Sequence, residues 1–395
     1  MSKSNETTPN VPTLRFAEYI DEWHKYALSD FATRITRRNK NNESSLPLTI
    51  SAQYGLVDQI TFFNKTVASV DLSGYYLLYN GDFAYNKSYS NDYAWGAVKR
   101  LDKYEKGCLS SLYFVFHPTD KVDSDYLTHY FETSKWHKGI SDIAGEGARN
   151  HGLLNMAVDD YFATKHYLPS LSEQKKIACF LNLITKRIEI QNKIISDLKV
   201  LKKELCNKVF GKGSAVRLGD FIEEVTTRNK SNSCENVLSV SNKMGFIKQS
   251  EQFEDRTVAS ENKSNYKVVT EGCFAYNPAR INVGSIALLS TYKIGIISPM
   301  YVCFKTKSNL NSEYLNFYYQ SGFFYKELQK KLEGSVRQCL TYENMSEILI
   351  PYVGIEEQKA IAVTLNKFAT LIATEEKYIK LLQKQKSYFL NAMFI

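Results

Sequence analysis

The stretch Glu173–Phe210, EQKKIACFLNLITKRIEIQNKIISDLKVLKKELCNKVF, occurs a second time as Glu357–Phe394, EQKAIAVTLNKFATLIATEEKYIKLLQKQKSYFLNAMF, in the same register and without a gap. Apolar residues at Ile177, Leu181, Ile184, Ile188, Ile195, Leu198, Leu205 and Val209 return as Ile361, Leu365, Phe368, Ile372, Ile379, Leu382, Phe389 and Met393. Steps of alternating threes and fours predict a long helix with a coiled-coil seam in each copy. The seam is interrupted at matching places, Gln191 with Glu375 and Lys202 with Lys386. One helix cannot bury such a stripe by itself, so the two are expected to pair as an antiparallel coiled coil with pseudo-two-fold symmetry.

The segments in front of the helices also run in one order. Ser29–Asn42 (SDFATRITRRNKNN) matches Gly219–Ser233 (GDFIEEVTTRNKSNS), with Arg38, Asn39 and Lys40 standing where Arg228, Asn229 and Lys230 stand. A strand and Gly turn at 48–57 returns at 237–247, Gly55 matching Gly245, and Phe83 to Asn86 (FAYN) recurs letter for letter as Phe274 to Asn277. The β-forming run LYFVF at 112–116 matches MYVCF at 300–304. A helix over 124–136, with Ser124 as its N-cap, matches 312–324. Gly147–Asn150 (GARN) matches Gly334–Gln338 (GSVRQ), and Gly211 and Gly213 stop the first long helix. The expected order is a flexible tail at 1–12, α+β target domains at 13–168 and 213–350, and a spacer helix after each, at 169–212 and 351–395.

Composition narrows the partners. A chain of 395 residues with 44% hydrophobic content is long enough for two or three domains. No signal-peptide pattern opens it and no apolar run reaches the ~18 residues of a membrane span, which leads us to expect a cytoplasmic protein. Seven scattered cysteines without a C-x-x-C fit reduced thiols and offer no metal site. Of the formal charge of +8, most lies on the helices: Leu171–Phe210 carries nine basic against four acidic residues, and Ile355–Ile395 six against four. A basic face of this kind suits a polyanion. Thirty-six helical residues from Gln174 to Val209 span ~54 Å at ~1.5 Å each. That length suits a ruler between two readers of B-DNA, whose equivalent major-groove faces recur about every 34 to 36 Å.

In both copies a Leu-Pro or Ile-Pro pair (Leu168 and Pro169; Ile350 and Pro351) precedes Glu-Gln (Glu173 and Gln174; Glu357 and Gln358). Ile-Ala (Ile177 and Ala178; Ile361 and Ala362) and a long helix ending in Phe follow. With the paired FAYN runs, Asn277 to Arg280 (NPAR) and Leu14 to Phe16 (LRF), the chain resembles the specificity subunit of type I restriction-modification systems. The resemblance covers residues 11 to 395. It implies a non-catalytic subunit whose two target recognition domains each read one half of a split DNA sequence. The helices would set the spacer and dock two methyltransferase subunits for adenine N6 methylation. A restriction and translocase subunit would complete the assembly, with S-adenosylmethionine, ATP and Mg on the partners and no cofactor in this chain.

What the residues lack agrees with a non-catalytic role. Asn277 to Arg280 has neither the second Pro nor the aromatic residue of an Asn-Pro-Pro-aromatic methyltransferase run, and neither G-x-x-x-x-G-K-[ST] nor G-x-G-x-x-G occurs. All six histidines lie in the first half, whereas a duplicated active site needs them in both. Features common to the halves cannot tell one half-site from the other, so base reading is expected where the halves differ. Arg38, Asn39, Lys40, Arg228, Asn229 and Lys230 are phosphate-contact candidates. Lys87, Tyr89 and Asn91 in the first half oppose Arg280 and Asn282 in the second, and Arg149 and Asn150 oppose Arg337 and Gln338, as base-contact candidates. Lys175, Lys186, Lys199, Lys377 and Lys384 on the outer helix faces are candidates for partner or phosphate contact. Two other readings exist: a complete modification enzyme, which the missing cofactor loop disfavours, and a coiled-coil protein scaffold without DNA specificity, which the twin mixed domains disfavour.

Overall fold

The structure, a computed structural model, describes residues 10–65, 68–89, 93–144, 153–242, 244–252, 262–332 and 339–395. Two compact units divide the chain: one takes in the chain up to Gln191 together with Tyr378–Ile395, and the other is Asn192–Lys377. The long helices are Leu171–Phe210 and Ile355–Ala392, so each gives one half to each unit.

In the first unit an antiparallel sheet runs in the order Ala32–Arg34, Phe114–Pro118, Phe83–Asn86, Ala97–Arg100. The second unit repeats it as Ile222–Glu224, Val302–Thr306, Cys273–Tyr276, Ile286–Leu288. The large-small-large pattern of the FAYN strand now has a cause. Side chains alternate across a strand, so Phe83 and Tyr85 enter one core cluster while Ala84 faces a second. Phe274, Tyr276 and Ala275 divide in the same way. Phe83 stacks on Phe116 at 5.4 Å between centroids, and Phe274 on Phe304 at 5.1 Å. A further sheet holds a hairpin in each unit, Leu48–Ser51 with Gly55–Asp58 as a two-stranded sheet in the first and Val237–Ser241 with Gly245–Lys248 within a four-stranded sheet in the second. Both hairpins turn through a glycine at positive φ, +80° at Gly55 and +68° at Gly245.

The helix pair is antiparallel within each unit. In the first, Phe180 meets Phe389 edge to face at 4.9 Å, and Arg187 donates to the Tyr378 hydroxyl. In the second, Lys199 pairs with Glu376 at 2.6 Å, while Phe210 at the end of one helix shares a core cluster with Ala362 and Leu365 at the start of the other. Seam residues Ile177, Leu181, Ile195, Leu365, Ile372, Ile379, Leu382 and Met393 are buried. Each helix also ends inside a domain core: Phe394 packs on Tyr126 and Tyr130, as Phe210 does on Tyr314 and Tyr318.

The Glu-Gln pair at each helix start proves to be an anchor. Gln174 Oε1 accepts from the Asp123 backbone N–H at 2.8 Å while its Nε2 donates to Pro169 O at 2.9 Å. Gln358 does the same with Asn311 N–H and Val353 O, both at 2.8 Å. Both side chains are buried, so replacing Gln174 by Leu leaves a backbone donor and acceptor unpaired and is expected to cost about 2–4 kcal/mol. All three tryptophans, Trp23, Trp95 and Trp136, lie in the first unit, so a lowered urea midpoint in tryptophan fluorescence reads this loss directly.

Two local expectations are corrected. The N-cap at 124 is Asp123, whose carboxylate accepts from Tyr126 N–H at 2.9 Å, and the helix stops at Tyr130, with a separate helix at His137–Ile143. The matching segment likewise divides into Ser312–Tyr319 and Gly322–Gln329, because Ser321 caps a new helix. Of the expected tail, residues 1–9 lie outside the described residues. The segment that follows is held down: Arg15 pairs bidentately with Glu173 at 2.7 and 2.8 Å, Phe16 meets Phe180 at 6.0 Å, Lys176 bonds Glu18, and Leu14 N–H donates to Ala392 O at 2.9 Å.

Candidate nucleic-acid interface

The Arg-Asn-Lys turns divide by burial. Asn39 is fully buried: its Nδ2 donates to Ser44 O at 2.9 Å and its Oδ1 accepts from Ser44 N–H at 3.0 Å. Asn229 closes the same loop with Cys234 at 3.0 and 3.2 Å. Amides engaged at both ends inside a loop shape the turn, which is what Asn39 and Asn229 do here. Lys40 and Lys230 are exposed. Arg38 lies over the Tyr76 ring at 4.1 Å and gives Nη1 to Gly74 O; Arg228 gives Nη1 to Asn265 O. Each guanidinium is thereby oriented by its own domain with further N–H groups to spare.

After the FAYN strands, Asn86 and Asn277 shape turns, accepting from Ser88 N–H at 2.9 Å and from Ala279 N–H at 3.1 Å. Lys87 lies 4.6 Å from the Phe114 ring centre, and burial lowers its pKa. Tyr89 packs against the core of the first unit. Arg280 is exposed and Asn282 half-buried, on the turn that runs to Gly284 at φ +88°. Asn91, Arg149, Asn150, Arg337 and Gln338 lie outside the described residues.

On the helices Lys175, Lys186, Lys199, Lys377 and Lys384 are all exposed, with Lys199 paired to Glu376. Lys175 and Lys186 line a surface hollow with Asp123 and Asp125. Apolar residues are exposed on the helices as well, Leu183, Ile190 and Leu201 on the first and Val363, Leu371 and Leu381 on the second. The seam interruption at Lys386 also has a use: its Nζ reaches Glu132 at 2.8 Å. Burial works to raise the Glu132 pKa, but the His129 ring, Lys386 and Lys99 outweigh it and hold the carboxyl at about 2. A carboxyl depressed from 4.5 contributes stability that is complete above that value. The first unit is therefore expected to lose this contribution as pH falls from about 4.5 through about 2, read as an acid shift of the tryptophan-monitored unfolding midpoint that Glu132→Gln flattens.

The described residues show no group of three or more acidic, His or Cys side chains placed to hold a metal, and no helix long and apolar enough to cross a membrane. The two α+β domains thus share a turn framework, carry exposed cations beside it and have exposed apolar residues on their helices. Residues 214–384 match the type I restriction modification DNA specificity domain. The chain is 25% identical over 327 residues to the type I restriction enzyme MjaVIII specificity subunit of Methanocaldococcus jannaschii, covering 73% of this chain and 74% of that protein. It is 26% identical to the putative MjaX specificity subunit of the same organism, covering 69% and 68%. Its fold is that of the type I restriction-modification S subunit from M. genitalium, with a TM-score of 0.57 at 14% identity over 98% of this chain and 99% of that one. A structure of a type I restriction-modification system chain gives 0.53 at 16% identity, over 93% and 96%. By these comparisons the chain is similar to type I restriction-modification specificity subunits, and its residues 214–384 match the DNA specificity domain.

Proposed function

We propose that the chain reads a bipartite duplex DNA target, one domain per half-site, and that the long helices set the spacer and dock methyltransferase subunits. The same assembly would recruit restriction and translocase subunits, within the cytoplasm. The observation that carries this reading is the duplicated frame with divergent surface: Asn39 and Asn229 close identical loops, while the turns beside them carry different side chains. A shared frame holds two readers in equivalent poses, and different side chains let them read different bases. The domain limits at 13–168 and 213–350 remain our proposal for what each reader comprises. Cations at Lys40, Arg38, Arg228 and Lys230 would supply backbone contact, which is salt-dependent and blind to sequence.

Docking is supported by the outward apolar residues Leu183, Ile190 and Leu201 with Val363, Leu371 and Leu381, flanked by Lys175, Lys186, Lys377 and Lys384. Apolar centres with charged rims are the usual anatomy of an interface. The test is single-molecule sequencing of adenine methylation in cells that express this chain with the neighbouring methyltransferase subunit. A split motif that disappears on deletion of the chain supports the reading. A soluble complex without any chain-dependent motif would overturn it in favour of a protein scaffold.

A further inference from the structure

In the second unit three turns line one hollow, and two of them have counterparts joined in the same way in the first. The floor is common to both. Thr49 Oγ1 lies 3.5 Å from the Tyr113 hydroxyl, and Ser239 Oγ lies 3.3 Å from the Tyr301 hydroxyl. Ser51 Oγ accepts from Tyr54 N–H at 3.2 Å and Ser241 Oγ from Met244 N–H at 3.3 Å, at the turns completed by Gly55 and Gly245. The third turn is the one that Asn86 or Asn277 shapes.

Large apolar side chains stand out on this floor. Tyr54 is 61% and Leu112 62% exposed; their counterparts Met244 and Met300 are 73% and 56% exposed. Single exposed apolar residues need no explanation, but the same two positions of a duplicated frame carry them in both units, with different identities. In the second unit the turns enclose a polar hollow of about 280 Å³, lined by Ser239, Asn242, Asn277 and Ser298, with Arg280 at its edge. The Arg280 guanidinium has no hydrogen-bond or ion-pair partner among the described residues, so it meets a ligand without first giving up a contact.

We propose that Met244, Met300 and Arg280 form the base-reading rim of the second domain, and Tyr54 with Leu112 the corresponding rim of the first. The inference rests on the DNA-recognition reading above and deepens it. Apolar side chains match the thymine methyl group, and an arginine fork matches guanine O6 and N7, both displayed in the major groove of duplex DNA. Methionine, unbranched and polarisable, follows a methyl edge closely. The common floor keeps each rim in place, while its side chains alone determine which bases are accepted.

The test uses the full chain in complex with its methyltransferase subunit, mapping methylated adenines for Arg280→Ala, for Met244→Ser with Met300→Ser, and for Tyr54→Ser with Leu112→Ser. Arg280→Ala is expected to relax one position of one half-site by roughly five- to a hundredfold, leaving the other half unchanged. The methionine pair should relax other positions of that same half, and the Tyr54 and Leu112 pair the opposite half. An unaltered motif in all variants overturns the proposal. So does an even loss of affinity across all sequences, which marks phosphate contact, and so does lost assembly with the methyltransferase subunit, which marks a protein-docking surface. A wild-type complex without any split motif would instead overturn the DNA-recognition reading itself.

Discussion

If the chain reads DNA as proposed, exchanging residues 13–168 for the corresponding domain of a type I specificity subunit is expected to rewrite one half of the methylated target and leave the other half unchanged. The first unit has its own cores: Trp23, Phe83, Phe116 and Tyr161 form one cluster, and Leu48, Leu78, Ala84 and Val115 another. Neither draws a residue from the second unit, so a swap there leaves the second reader intact. The exchange has one structural condition. The first cluster includes Ile177, Ala178 and Leu181 from one helix and Met393 and Phe394 just past the end of the other, so the incoming domain must present an apolar face to those five. A donor meeting that condition should convert half the motif completely, because discrimination at each lost base pair is typically ~1 to 3 kcal/mol and accumulates over the half-site. Methylome sequencing of the chimaera measures it. Change in both halves, or in neither, would count against one reader per half-site.

Arg15→Ala is expected to destabilise the first unit by about 3–5 kcal/mol. Glu173 is 1% exposed and its two oxygens are held by Arg15 alone among the described ion pairs, at 2.7 and 2.8 Å. Removing the guanidinium leaves a carboxylate buried without its counter-charge, which costs far more than the pair itself is worth. The Glu173 hydrogen bond is also what raises the Arg15 pKa, ahead of the opposing effect of burial. Urea unfolding followed by tryptophan fluorescence isolates the effect, since unit two contains no tryptophan. Arg15→Ala combined with Glu173→Gln should recover part of the loss by removing the stranded charge. A midpoint that barely moves in the single variant would show that Glu173 is rehydrated when its partner goes.

Periodicity made the long helices legible, because a seam of eight apolar positions in each copy leaves one helical face available for burial. Duplication made the strands legible, since FAYN in two copies located two sheets whose two-sided burial explains the small Ala84 and Ala275. Side-chain roles were less legible. Asn39 and Lys40 are neighbours of similar polarity, yet one is sealed inside a loop and the other is free, and only the fold of residues 39–44 distinguishes them. Leu112 and Met300 stand in β-forming runs yet precede the strands Phe114–Pro118 and Val302–Thr306, and Tyr54 and Met244 stand at hairpin turns. Their exposure depends on which side of a turn they stand, which composition does not encode. Glu132 and Lys386 are more than 250 positions apart in sequence and were beyond any local pattern.

The hydrogen bond from Leu14 to Ala392 has a topological meaning. In the second unit a long helix ends at Phe210 and passes through Gly211 to Gly213 into the strand Ser214–Arg217, which pairs with Leu349–Tyr352. In the first unit a long helix again ends in the domain core, and the strand His24–Ala27 pairs with Lys165–Leu168 in the same way, but the two are joined by contact instead of a peptide. The same joint between a helix end and the domain it enters is therefore made by a peptide in one unit and by contact in the other. The second joint then needs no peptide either: a chain cleaved at Gly211–Gly213 should keep the second unit's core, in which Phe210 packs on Tyr314 and Tyr318.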